Sequence, residues 1–137
     1  MTVENIPKIY DINERGRSSC QYYVAFCTKF NRRVFTDGYE KKLGDIMEGM
    51  DMPEGTVFLD VIIEPDAVQC IVKCPPDVSV QKCINGIKAS VARKLHEDCP
   101  ELKTRMPQIW TKRNFVSSMG DVTVNAVCDF ISSQRKE

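Results

Sequence analysis

Glu64-Pro65-Asp66-Ala67-Val68-Gln69-Cys70 sets two carboxylates at a turn and a carboxamide on the segment that leaves it. Carboxylates are the donors hard divalent ions prefer, whereas Gln69 offers only a neutral amide oxygen or nitrogen and Ala67 no donor atom at all. As a metal site the stretch is incomplete; as a turn, Pro65-Asp66 between two β-forming runs is ordinary chemistry. His96, the only histidine, falls at the end of a helical segment, where a partial positive charge suits the helix dipole and a solvent-exposed place is expected. The seven cysteines (Cys20, Cys27, Cys70, Cys74, Cys83, Cys99, Cys128) are an odd set without a Cys-x-x-Cys pair, which argues against a disulfide frame and a zinc knuckle and for reduced, buried thiols. Cys70 and Cys74 share one strand face, but four residues of about 3.3 Å each hold them ~13 Å apart, too far to grip one ion. Tyr22 and Tyr23 alternate across a strand, so one faces inward and packs.

Charge is balanced overall, 19 basic against 19 acidic residues, but unevenly spread. Residues 43–66 carry seven acidic residues and no Lys or Arg, whereas residues 67–113 carry nine basic against four acidic. Such segregation permits a basic face that follows a phosphate backbone. The chain of 137 residues, 42% apolar, suits one domain with a real core. No apolar run reaches the roughly 20 residues of a membrane span, and the start Met1-Thr2-Val3-Glu4-Asn5 lacks the basic and apolar regions of a signal peptide. A cytoplasmic location is the expectation.

The elements that must position these groups follow from periodicity. Residues 1–18 are polar and aperiodic and are expected to form an arm, with the domain over residues 19–137. Ser19 to Thr28 is rich in β-formers and ends in the basic turn Lys29-Phe30-Asn31-Arg32-Arg33. After Thr36-Asp37, a capping pair, Tyr39, Leu43, Ile46, Met47 and Met50 recur at helical spacing. Val57 to Ile63 and Val68 to Cys74 are strands joined by the Pro65-Asp66 turn, and Pro75-Pro76 stops the second. Ser79 caps a long helix with a stripe of Val80, Cys83, Ile84, Ile87, Val91 and Leu95. A connector over Glu97 to Pro107 leads to a strand from Ile109 to Ser118, and Thr123 caps a last helix with Val124, Val127, Cys128 and Ile131 inward. The order β-α-β-β-α-β-α predicts an α+β fold of the ferredoxin-like kind, one antiparallel sheet with helices packed on one face.

Four segments together resemble the HUH-class single-strand tyrosine transposases of small bacterial insertion sequences. Tyr23 to Val34 is similar to the family's opening strand and its Thr-Lys-aromatic-x-Arg turn, and Asp66-Ala67-Val68-Gln69 stands where the family has a His-hydrophobic-His triplet after an acidic turn. Pro75-Pro76 with Ser79-Val80, Lys88 and Ser90 looks like the segment that follows. Trp110 to Gly120, with Val122-Thr123 and Phe130-Ile131-Ser132-Ser133-Gln134, is similar to the C-terminal block. The resemblance covers about residues 19 to 134.

In that family, the two histidines and a glutamine hold Mg²⁺ or Mn²⁺, which polarises the scissile phosphate of single-stranded DNA, and a tyrosine four residues before the glutamine attacks phosphorus. The matching positions here are Ala67, Gln69, Phe130 and Gln134. The resemblance therefore implies a degenerate site that lacks both the metal and the nucleophile, in a domesticated, inactive protein that still binds hairpin or palindromic DNA as a homodimer, with a regulatory role. Lys29, Arg32 and Arg33, then Lys82, Lys88 and Arg93, then Lys112 and Arg113 beside Trp110 are the expected phosphate and base contacts. Asn114 departs from the aromatic that relatives carry. The alternatives are an active transposase with a substituted or partner-completed site and an RNA-hairpin-binding module.

Overall fold

Side chains alternate along one central strand, Cys20–Thr28, and both of its faces are covered: Val24 and Phe26 are buried on one side, Tyr23, Ala25 and Cys27 on the other. This explains why the segment reads as an almost unbroken apolar run rather than as an alternation. In the computed structural model, residues 11–13, 16–18, 20–53, 55–118 and 124–135 are described, with side chains for 20–53, 55–118 and 130–135.

In chain order the elements are β1 (Asp11–Asn13), β2 (Gly16–Ser18), β3 (Cys20–Thr28), α1 (Tyr39–Gly49), β4 (Val57–Glu64), β5 (Ala67–Cys74), α2 (Val80–Asp98), α3 (Pro100–Arg105), β6 (Trp110–Ser118) and α4 (Val124–Arg135). The main sheet runs β4-β5-β3-β6 with every pair antiparallel, the ferredoxin-like arrangement the element order predicts. β1 and β2 form a separate two-stranded hairpin, with Asp11 opposite Ser18, inside the segment expected to be an arm. Residues 1–10 of that arm lie outside the described residues.

Register follows from the two-residue turn Pro65-Asp66, which places Glu64 opposite Ala67 and so Ile62 opposite Gln69. On β3 the same strand aligns Cys27 with Ala67 and Ala25 with Gln69. Positions 67, 69 and 71 consequently share one face, and 68, 70, 72 and 74 the other.

The second of these faces carries the larger core. α1 contributes Leu43, Ile46 and Met47, and α2 contributes Cys83, Ile84, Ile87, Val91 and Leu95, all buried against Val24, Phe26, Val68, Cys70 and Val72. Packing of helices on one face thus holds for α1 and α2. α4 lies on the other face, where Ile131 is buried with Tyr23, Ala25, Ala67 and Ile71, because those central strands are apolar on both sides and need a second cover.

Local chemistry explains the helix ends. Ser79 caps α2, its hydroxyl accepting from the Lys82 N–H at 3.4 Å. The start of α1 differs from expectation: Thr36 and Asp37 lie just outside, and the cap residue is Gly38 at φ 96°, a backbone that a side chain would strain. α3 sits within the segment read as a connector; it is six residues long with one buried apolar side chain, Leu102, too short to show a period. Thr123 and the side chains at 124, 127 and 128 lie outside the described set.

Leu95 is fully buried where α2 crosses the core. Leu95→Ala is expected to lower the unfolding free energy by about 2–5 kcal/mol, read from urea denaturation.

Candidate functional site

The face of β5 that carries Ala67 and Gln69 is the one that α4, the helix of Phe130 and Gln134, covers. Ala67 is fully buried between Cys27 and Ile131. The Gln69 carboxamide is spoken for at both ends: its Oε1 accepts from the Tyr23 hydroxyl at 2.9 Å, and its Nε2 donates to Glu64 Oε1 at 2.5 Å. Tyr23 reaches Gln69 because their pairing partners are Ile71 and Ala25, which makes the two diagonal neighbours on adjacent strands. Phe130 packs on Phe115 of β6 with ring centroids 5.4 Å apart, the role of an ordinary core aromatic. Gln134, one turn further along α4, is buried.

The neighbouring residue decides the electrostatics. Arg135 closes α4, and its guanidinium lies across the turn between β4 and β5, Nε donating to Asp66 Oδ2 at 2.6 Å and Nη2 to Asp66 Oδ1 at 2.7 Å. Nη2 also donates to Glu64 Oε2 at 2.8 Å. Hydrogen bonding to Asp66, and then the charges of Asp66 and Glu64, raise the guanidinium pKa still further above its ordinary value. Asp66 is buried, so this is a fork on a nearly desolvated carboxylate rather than a loose surface pair. Sequence reading treats Glu64 and Asp66 as turn residues and passes over Arg135; 69 residues separate it from its partner, and nothing local signals the contact.

These groups do not fit a divalent ion. Ala67 supplies no donor, both atoms of the Gln69 amide are engaged, and the two carboxylates already hold a cation. Among the described residues no group of three or more His, Cys, Asp or Glu side chains is placed to hold a metal. Tyr23, the phenol nearest this point in the register, is buried and pinned to Gln69, so its oxygen is not presented to a substrate.

The basic residues divide into two groups. Lys29, Arg32 and Arg33 surround the turn after β3, where Thr28 pairs with Trp110 at the start of β6; Lys112 and Arg113 follow on that edge strand, exposed. Thr28 N–H donates to Asp66 O at 2.9 Å and Phe35 N–H to Pro65 O at 3.0 Å, so this basic end adjoins the Arg135 cluster. Lys82 is exposed near the start of α2. Arg93 lies apart, in a groove between α1 and α2 that also holds Asp45, Asp51 and Asp98.

Two expected contacts are turned inward instead. Lys88 is 6% exposed, its ammonium donating to Thr111 O and Asn114 Oδ1, each at 2.7 Å, and standing 5.7 Å from the centre of the Phe26 ring. Trp110 is 9% exposed, edge-on to Phe26, with its indole N–H donating to Lys88 O at 3.1 Å. Both sit in the core because residue 88 falls within the apolar stripe of α2 and the start of β6 runs under that helix. His96 also departs from expectation: it is half-buried, with Nε2 2.8 Å from Met106 O.

The family described as Transposase IS200 like matches residues 17–134, and the chain belongs to that family. A protein of Deinococcus radiodurans R1, solved as a candidate transposase, has a TM-score of 0.75 and 21% identity, over 83% of this chain and 89% of its own; it shares the fold. A REP-associated tyrosine transposase, solved bound to a REP hairpin, gives a TM-score of 0.48 and 11% identity over 93% of this chain and 67% of its own. No curated protein sequence matches the chain.

A double-mutant cycle on Arg135→Gln and Asp66→Asn should return a favourable coupling of about 1–3 kcal/mol, discounted for the partial exposure of the arginine, with Mn²⁺ leaving the wild-type melting temperature unchanged.

The core thiols and Lys88 make a second prediction. Burial lowers Lys88 to about 8 and raises Cys27 and Cys74 to about 11 and Cys70 to about 12. Above pH ~8 the unfolded lysine retains a proton that the folded one has released, so stability rises with pH; above ~9 the unfolded thiols ionise while the folded ones do not, so it falls. With three thiols against one amine, urea unfolding should show a shallow gain up to about pH 9 and a decline beyond it, and Lys88→Met should remove the gain alone.

Proposed function

We propose that this member of the IS200-like transposase family is catalytically inactive and domesticated, and that it binds hairpin or palindromic DNA as a regulator in the cytoplasm. One observation carries the inactive half: an arginine occupies the carboxylates beside the position expected of the metal. Arg135 brings one positive charge to Asp66 and Glu64, leaving the cluster with a net charge of about −1, whereas a divalent ion on the same two groups would leave none. A phosphate is repelled there rather than polarised. Phe130 supplies a ring without the oxygen that would attack phosphorus.

Binding is supported by what the same end of the fold retains. Lys29, Arg32, Arg33, Lys112 and Arg113 lie around the junction of β3 and β6, a concentration of positive charge of the kind that contacts phosphates. A homodimer joined through sheet edges agrees with the sheet order, in which β4 and β6 are the outer strands, and Val57 of β4 is 42% exposed. No helix among the described residues is long and apolar enough to cross a membrane.

Gel-shift titration of a DNA hairpin across a salt series tests the binding half, and a cleavage assay the inactive half. Affinity should fall as salt rises, with Lys112→Ala and Arg113→Ala each reducing the logarithmic salt slope by about 1. Incubation of an end-labelled hairpin with Mg²⁺ or Mn²⁺ should yield neither cleavage nor a detergent-resistant protein–DNA adduct. An adduct overturns the inactive reading, salt-independent binding overturns phosphate-led recognition, and preference for an RNA hairpin of the same sequence reassigns the partner.

A further inference from the structure

Phe30 is 72% exposed, the most exposed large apolar side chain among the described residues, and it occupies a backbone conformation that side-chain-bearing residues rarely adopt, φ 59° and ψ 20°. Asn31 follows at φ 55°. Asn tolerates that region, but for an exposed phenylalanine the conformation gains nothing from burial, and such strain persists only where the surroundings enforce it. The enforcement is visible on both sides of the ring. Lys29 N–H donates to Ile109 O at 2.7 Å, and the Thr28 hydroxyl donates to Arg32 O at 2.7 Å, closing the loop at its base. The turn is therefore a fixed mount for an aromatic face.

Its electrostatic surroundings are one-sided. Lys29 Nζ stands 5.6 Å and Arg32 Cζ 5.8 Å from the ring centre, with Arg33 exposed just beyond. Arg32 is itself oriented by bonds from Nη1 to Arg105 O at 3.2 Å and to Met106 Sδ at 3.5 Å. A flat apolar ring with two cations close to it, one of them oriented by the protein, complements one chemistry closely: a nucleobase, flat and polarisable, joined to phosphates on either side. A paired base inside a stem has both faces covered by its neighbours, so the complement is an unpaired one.

We propose that the turn Lys29–Arg33 is a stacking platform, on which Phe30 takes an unpaired base from the single-stranded part of the bound DNA while Lys29 and Arg32 hold the phosphates beside it. The proposal rests on the nucleic-acid reading above and adds to it the place and the part of the ligand recognised. The fold sets this platform beside the Arg135 cluster, since Thr28 N–H bonds Asp66 O.

The test compares full-length wild type, Phe30→Ala, Phe30→Trp and Phe30→Leu on two ligands of one stem sequence, a blunt hairpin and the same hairpin with a short single-stranded tail. Phe30→Ala and Phe30→Leu should weaken binding to the tailed ligand by about tenfold or more, with the blunt hairpin and the salt slope unchanged. Phe30→Trp should retain wild-type affinity, and its added fluorescence should be quenched by the tailed ligand and not by the blunt one. Thermal melts close to wild type are expected throughout, because the ring is exposed. Equal affinity of wild type and Phe30→Ala for the tailed hairpin overturns the platform alone, as does an equal loss on both ligands. A change in self-association with DNA affinity kept assigns the ring to a second protein copy and overturns it too. Failure of the wild type to bind either ligand at low salt instead brings down the nucleic-acid reading itself.

Discussion

Asp66 is the knot of this molecule. Its carboxylate, nearly removed from water, receives a two-pronged bond from Arg135 at the end of α4, while its backbone carbonyl accepts from the Thr28 N–H at the end of β3. One residue of a two-residue turn thus joins the central strand, the hairpin of β4 and β5, and the helix that covers the second sheet face. A buried carboxylate is tolerable only when such partners are present, and removing one of them leaves the charge stranded. The position of α4 over the sheet, and hence the covering of Ala67 and Gln69, follows from that requirement together with the packing of Ile131.

The same knot shows how a carboxylate pair is satisfied by a cation that the chain itself supplies. A turn carrying two carboxylates invites positive charge whatever its source. A metal would arrive from solution and leave open positions for substrate oxygens, whereas this guanidinium arrives with the chain and commits its Nε and Nη2 donors to the carboxylates. Gln69 adds to the closure by linking Tyr23 to Glu64, so that both ends of its carboxamide are engaged within the protein.

Much of the frame is legible in the sequence because it depends on near neighbours. The Pro65-Asp66 hairpin, the Ser79 cap and the stripe Cys83-Ile84-Ile87-Val91-Leu95 all express local periods or local bonds, and the structure has each of them. The second face of the sheet is harder to read, since a strand buried on both sides gives no alternation to assign. Among the residues singled out for the site, Ala67 and Gln69 lie on the sheet face that α4 covers, Phe130 packs against that face, and Gln134 is buried one turn further along α4. Arg135 is invisible beforehand, because a lone arginine near the end of a chain has no period and its partners lie far away in sequence. Phe30 is hidden for the opposite reason: an aromatic between basic residues reads as part of a turn, and only the backbone angles reveal that it is held outward.

Lys88 shows how two such surprises explain one another. Its position between Ile87 and Val91 sends the ammonium under β6, where a lone buried charge would be strongly unfavourable. The structure meets this with Thr111 O and with Asn114 Oδ1, and Asn114 is in turn oriented by donating to Gln81 Oε1 and Asn85 Oδ1 at 2.9 and 3.0 Å. An aromatic at position 114 would provide no acceptor for the lysine. The polar residue there and the inward lysine are therefore one arrangement, and through Trp110, whose indole bonds the Lys88 carbonyl, it fixes where β6 begins. That start point, opposite Thr28, sets the distance from Lys112 and Arg113 to the Phe30 turn. The geometry of the exposed basic end is in this way determined by a charge that never reaches the surface.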